Sequence, residues 1–203
     1  TETGERVALE VLRHHRLLEL YLHQKLKLPW DQVHAEAEKL EHVISEVLED
    51  AIASALDNPT IDPHGDPIPS KDGTVEKVDG VPLSMAELSR PYRLVRVLLQ
   101  DQERLSYLGT LGLYPNAVVT LLKCAPFAGP LLIDVGGEHH ALRPVARIAH
   151  RDRQAGDVEH AALPLLRLGQ VDQRDVVAEV ADVVLFRAEG EPAYRGVQTV
   201  GAD

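Results

Sequence analysis

Six side chains between His15 and His42 have the chemistry of metal ligands and the spacing of helix faces. His15 and Glu19 stand four apart, so a helix stacks them one turn above each other on one side. His34, Glu38, Glu41 and His42 follow at i, i+4, i+7 and i+8, a single stripe of a 3.6-residue period. Such a stripe is ordinarily filled by Leu, Ile or Val. Imidazoles and carboxylates in its place, on two helices joined by a short turn, suit one divalent cation or two. The donors are nitrogen and oxygen without thiolate, which fits Mn(II), Fe(II), Co(II) or Zn(II) and leaves coordination geometry to choose among them. The same spacing also occurs on the solvated face of an acidic helix, and spacing alone leaves that reading open.

The elements that must position these groups follow from periodicity. Thr1–Glu5 reads as a turn and N-cap, with acidic residues suited to a helix dipole. Val7, Val11, Leu12, Leu18, Leu22 and Leu26 recur at three- and four-residue steps and predict one amphipathic helix from about Glu5 to Leu26. Leu28-Pro29 stops it, and Asp31 is placed to cap a second helix running to about Leu48, with Val33, Ala37, Leu40, Ile44 and Val47 inward. Glu49–Leu56 reads as its continuation or as a short third helix with Ala51, Ile52 and Ala55 inward. Asn58–Pro69, with four prolines and a glycine, is a turn-rich loop or a linker, and the polar stretch after it separates two domains. Beyond Val81 the pattern is of short strands at Tyr92–Leu98, Ala117–Lys123, Leu131–Val135 and Glu138–Leu142, the last of them. A short helix at Gln102–Leu111 interrupts them, and Gly136-Gly137 marks a tight hairpin. The expected fold class is α+β, an all-α helical domain followed by a small SH3-like β-barrel. The expected bounds are 1–69 for the helices, 70–82 for the linker, 83–151 for the barrel and 152–203 for an extension without a structural account.

Composition narrows the function. A chain of 203 residues holds one large domain or two small ones, and 44% hydrophobic content allows a proper core. A net charge of −11 argues against nucleic acid or anionic lipid binding by this surface and favours cations. Cys124 is the one cysteine, which excludes an intrachain disulfide and fits a reducing, cytoplasmic setting. It reads as a small packed residue. No apolar run nears the roughly 18 residues of a membrane span, and no signal peptide opens the chain. The chain begins at Thr1 without Met, which fits a fragment. His14 and His23 read as solvated, and His139-His140 as opposite faces of one strand.

Three stretches, in order, resemble one family. They are Arg13–Glu19 with Leu28–Ser45, then Asn58–Pro69, then Leu111–Pro115 with the Ala125–Pro130 turn. Together they are similar to the DtxR/MntR family of metal-dependent transcriptional regulators, over the metal-binding and dimerisation domain and the SH3-like, FeoA-type domain. The resemblance implies a repressor of metal-ion homeostasis, not an enzyme, with Mn(II) or Fe(II) as activating metal and Zn(II) or Co(II) as in vitro substitutes. It places His15, Glu19 and His34 at an ancillary metal site and Glu38, Glu41 and His42 at the primary one. A carboxylate at Glu38, where iron-responsive members carry Cys, favours Mn(II). The resemblance also implies a homodimer, for which Leu12, Leu20, Ile44, Val47 and Leu48 are candidate contacts. Operator DNA would be met only through an N-terminal winged helix-turn-helix that this sequence lacks, together with a primary-site ligand from that domain. Where family members lend third-domain ligands, this chain has Leu99, which cannot bind a metal, and Gln102. A metal-sensing or metal-buffering dimer without a DNA role is the rival reading. A carboxylate-bridged metal hydrolase is the other, and no general base outside the ligand set supports it.

Overall fold

Residues 1–98, 101–127, 129–143 and 184–188 are described by the computed structural model. Thr1 caps the first helix, α1 (Glu2–Gln24), through its side chain on the Gly4 amide at 3.3 Å, with Glu2 and Glu5 in the first turn. The helix therefore begins three residues earlier than periodicity indicates. It stops where Lys27 takes a φ of 61°, ahead of Pro29. Leu17, Leu18, Leu20 and Leu22 are buried along it.

The second helix, α2, is short, Val33–Leu40. Asp31 does not cap it: Gln32 holds the cap position without a side-chain hydrogen bond. The expected run to Leu48 is broken by a turn after Leu40. Ser45 then adopts an extended conformation and accepts from the Leu48 amide at 3.4 Å, starting α3 (Glu46–Ala55) as a separate helix. Re-starting the helix changes its inward face. Ile52 and Ala53 are buried whereas Ala51 and Ala55 are exposed, and Val47 is 80% exposed.

Residues 61–69 form an ordered, mostly buried loop rather than a linker, pinned by an Ile61–Pro67 bridge and the Ile68 amide on the Thr60 carbonyl at 2.8 Å. A six-stranded antiparallel sheet follows. Its strands are β1 (Val81–Pro82), β2 (Pro91–Val97), β3 (Val118–Cys124), β4 (Leu131–Val135), β5 (Glu138–Leu142) and β6 (Val184–Ala188), in the order β1-β6-β2-β3-β4-β5. Gly136 and Gly137, both at positive φ, make the expected β4–β5 hairpin. Helix α4 (Gln102–Thr110), capped by Asp101, covers the sheet with Leu105 and Leu108. The architecture is thus helical first and antiparallel sheet second, an α+β chain. Glu138–Leu142 is not the last strand, because β6 inserts between β1 and β2. The remainder of the expected 152–203 extension lies outside the described residues.

Two apolar cores result. Leu17, Leu18, Leu20, Leu22, Val33, Ala37, Ile52, Ala53 and Ile68 fill the helical one, and the sheet core is built on Leu94, Leu105, Leu108, Leu121 and Ile133. Trp30, from the turn between α1 and α2, crosses to the sheet core and lies 4.8 Å from the Tyr114 ring. No helix among the described residues is long and apolar enough to cross a membrane.

Candidate metal centre

Helix α1 places His15 and Glu19 one above the other, and α2 crosses so that His34 meets both. His15 Nε2 lies 3.0 Å from Glu19 Oε1 and 2.9 Å from His34 Nδ1, and His34 Nδ1 lies 3.1 Å from the same Glu19 oxygen. Three lone-pair atoms thus form a triangle with edges near 3 Å. Donors about 2.1 Å from an ion and at right angles to each other are spaced by about 3 Å, so the donor set fits a divalent cation without rearrangement. Glu19 is fully buried and His15 is nearly so.

Glu41 joins from the turn after α2, its Oε2 2.5 Å from His15 Nδ1 and its Oε1 3.1 Å from His42 Nε2. The ring nitrogen of His15 that faces away from the triangle therefore meets a carboxylate, which fixes the ring and makes its other nitrogen a better donor. Glu38 is exposed and the His42 side chain is 68% exposed. Among the described residues, no group of three ligand-type side chains within 4.8 Å contains Glu38, Glu41 or His42. The expected stripe fails here for a geometric reason: α2 ends at Leu40, so Glu41 and His42 leave the helical period.

A second group shares Glu19. Glu19 Oε2, Asp62 Oδ2 and His64 Nδ1 are all buried, none has a hydrogen-bond partner, and His64 Nδ1 stands 3.8 Å from Glu19 Oε2. The loop dictates this arrangement. Asp62 Oδ1 accepts from the amides of His64 and Asp66, each at 2.8 Å, which leaves Oδ2 aimed inward. His64 Nε2 is 2.9 Å from the Trp30 carbonyl, which can only accept, so Nε2 carries the proton and Nδ1 of the neutral ring has its lone pair free. Orphaned buried polar atoms are costly, and three that converge are a fitting donor set for a cation.

Arg16 stands beside this group, its Nε 3.9 Å from Asp62 Oδ2, and with Arg96 it pairs with Asp66. Burial pushes the Asp62 carboxyl up to about 8, with the charges of Asp66 and Glu19 adding to it. Burial pulls His64 down, but Glu19 and Asp62 pull harder and raise it to about 9. Burial likewise opposes, and Glu19 and Glu41 overcome, a raised pKa at His15. Burial raises Glu19, but the contacts with His15 and His34 and the nearby imidazole of His64 outweigh it and hold the carboxyl well below the usual range.

Sequence reading missed Asp62 and His64 as candidate ligands. The available signal was Asp-Pro-His-Gly-Asp, ligand-type residues at alternate positions between a proline and a glycine. His14, expected to be solvated, is not. His14 is buried, its Nδ1 on the Glu41 carbonyl at 3.0 Å and its Nε2 on Glu49 Oε2 at 3.1 Å, so it braces the Glu41 turn against α3. Glu49 is held in turn by Arg13 Nε at 2.6 Å. His23 Nδ1 donates to the Leu28 carbonyl at 2.9 Å and so ties the turn after α1 back to the helix. Cys124 is exposed rather than packed. Glu10, His14 and Glu46 also approach one another, but both nitrogens of His14 are already engaged and the two carboxylates are exposed. Leu99 lies outside the described residues.

Both halves of the chain are similar to known proteins. Residues 1–70 match the domain described as iron dependent repressor, metal binding and dimerisation domain, and residues 81–146 match the FeoA domain. The iron-dependent repressor IdeR of Mycobacterium leprae is 35% identical over 156 residues, covering 71% of this chain and 67% of that protein. The IdeR of Mycobacterium bovis is 32% identical over 154 residues, covering 70% of this chain and 66% of that protein. A solved manganese-dependent transcriptional repressor in complex with manganese is 35% identical, with a TM-score of 0.66, and the match covers 70% of this chain and 68% of that one. The chain spans about two thirds of the length of the curated relatives it matches.

Proposed function

Because the chain belongs to the iron-dependent repressor (DtxR/MntR) family, we propose that it is the metal-sensing and dimerisation part of a metal-dependent transcriptional regulator of metal-ion homeostasis. The observation that carries this reading is the meeting of His15 Nε2, Glu19 Oε1 and His34 Nδ1 at mutual distances of 2.9 to 3.1 Å. Glu19 turns its second oxygen to Asp62 and His64, so one buried carboxylate serves two neighbouring groups. Nitrogen and oxygen donors suit Mn(II) or Fe(II), with Zn(II) and Co(II) as substitutes in vitro.

A divalent ion held by these residues would add to the positive charge that Arg16 and Arg96 already bring to Asp62 and Asp66, and would meet the atoms of Glu19, Asp62 and His64 left without a hydrogen bond. The residues themselves do the rest. His15 and Glu19 carry the state of the site along α1, His34 carries it into α2, and Glu41 links it to the turn that leads into α3. The site thereby acts on the relative placement of three helices. The exposed apolar residues Leu40, Val43, Val47 and Leu48 at that turn and on α3 are the surface for a second copy. Leu20, a candidate contact from sequence, is buried within its own protomer and is not part of that surface. Operator DNA is assigned to a winged helix-turn-helix outside these residues, and occupancy acts by favouring the arrangement competent for DNA.

Calorimetric titration with Mn(II), Fe(II) under anaerobic conditions and Zn(II) tests this. Glu19→Gln is expected to lower affinity at least tenfold, as both groups depend on it, whereas Glu36→Gln, at a half-exposed residue paired with Lys39, leaves binding unchanged. Equal affinity in both variants removes the reading.

A further inference from the structure

The loop that carries Asp62 and His64 is clasped by a strand of the other domain. The Val97 amide of β2 donates to the His64 carbonyl at 2.8 Å. Gly65, at φ +88°, lies so close to β2 that a Cβ there would stand 2.1 Å from the Val95 carbonyl oxygen and 2.7 Å from Arg96 Cα. Arg96 NH2 pairs with Asp66 Oδ1, and Arg16 NH2 reaches the same oxygen at 3.3 Å. Asp66 in turn donates its amide to Asp62 Oδ1. Pairing of β2 with β6 shifts register between Leu94 and Arg96, a bulge at the place where Gly65 presses.

From this arrangement we propose that Arg96 is a positioning residue for the buried Glu19–Asp62–His64 group, acting through Asp66, and that the FeoA-type sheet thereby senses cation occupancy of the helical half. The proposal rests on the metal-sensing reading above. Its logic is a chain of contacts: Arg96 holds Asp66, the Asp66 amide holds Asp62 Oδ1, and that hold aims Asp62 Oδ2 at Glu19 and His64. Position and charge make opposite demands here. Arg96 is a cation near a cation site, so as a mere charge its loss would tighten metal binding. As a clasp its loss lets Asp62 swing away and weakens binding. Linkage requires the converse as well, that a bound cation tightens the contact of β2 with the loop.

The test uses the whole chain with Mn(II) and Co(II). His64→Ala identifies which binding component, by stoichiometry and by Co(II) visible absorption, belongs to the loop group. For that component Arg96→Gln is expected to lower affinity about tenfold, the lower end for a residue that orients ligands. Arg96→Lys is expected to recover part of it. In the unaltered chain, amide hydrogen exchange at Val97 is expected to slow severalfold on adding Mn(II), a readout that stands even if Arg96→Gln misfolds. Unchanged or tighter binding in Arg96→Gln, or Val97 exchange indifferent to metal, overturns the proposal. If the unaltered chain binds neither metal, the metal-sensing reading fails first and this one with it.

Discussion

The two cores of this chain are built on different physics. The sheet core, Trp30 with residues from Leu83 to Leu142, is built of aliphatic and aromatic side chains, and its stability is chiefly that of buried hydrocarbon. Every buried polar or charged side chain among the described residues lies in the helical half and its loop: His14, His15, Glu19, Glu49, Asp62, His64 and Asp66. There the apolar cluster of Leu17, Leu18 and Ile52 surrounds carboxylates that have more acceptor capacity than the protein satisfies. Apart from Arg96 Nε the sheet half is complete, and the other unpaired buried side-chain atoms among the described residues gather in the helical half and its loop. A sensor needs this division, since only the half that is incomplete can answer to its ligand.

The sharpest way to break the comparison is to damage the complete half. Leu108→Ala, at a fully buried site under the sheet, is expected to cost about 2–5 kcal/mol in denaturant unfolding. The added stability given by Mn(II) should survive, and its loss would mean the two halves do not divide the labour as described.

A smaller effect comes from protons. His64 is raised from 6.5 to about 9, so the stability its partners give is complete below pH 6.5 and is lost as pH rises through about 9. Asp62 is raised from 3.8 to about 8, so the folded chain keeps a proton that the unfolded chain has released, and this contribution also falls with rising pH, between 3.8 and about 8. The metal-free chain should therefore lose on the order of a few kcal/mol between pH 6 and 8.5. Metal affinity should rise over the same window, because binding needs Asp62 ionised and His64 neutral. Thermal melting with and without Mn(II) across that range checks both signs, and a metal-free Tm that climbs with pH contradicts them. The smallest effect is local. Ser45→Ala removes a long, exposed cap at α3 and is expected to cost about 0.5 kcal/mol, with no change in metal affinity.

The halves also differ in how much of them sequence discloses. Strands β4 and β5 are readable to the residue, because Gly136-Gly137 dictates the turn and alternation dictates the faces. The stacking of His15 and Glu19 is readable from helical spacing, whereas the grouping of His34 with them is what the family resemblance implies. The break between α2 and α3 is not, because Ile44 and Val47 continue the apolar period across it and outweigh the capping signal of Ser45. His14 is unreadable for another reason: its burial depends on Glu49, thirty-five residues away, and on a carbonyl. Asp62 and His64 were visible as residues but not as ligands, since their aim is set by backbone amides and by Trp30. The pairing of β6 with β2 is longer in range still, and no local pattern announces it.

That last pairing bears on how the molecule is made. Strand β2, whose Val97 and Arg96 grip the Asp62–Asp66 loop, is flanked on one side by β6, which leaves the ribosome long after every other strand among the described residues. Until then one border of β2 displays unpaired amides and carbonyls, a template for errant pairing with a neighbouring nascent chain. Translation order thus leaves the clasp on the loop to be finished last.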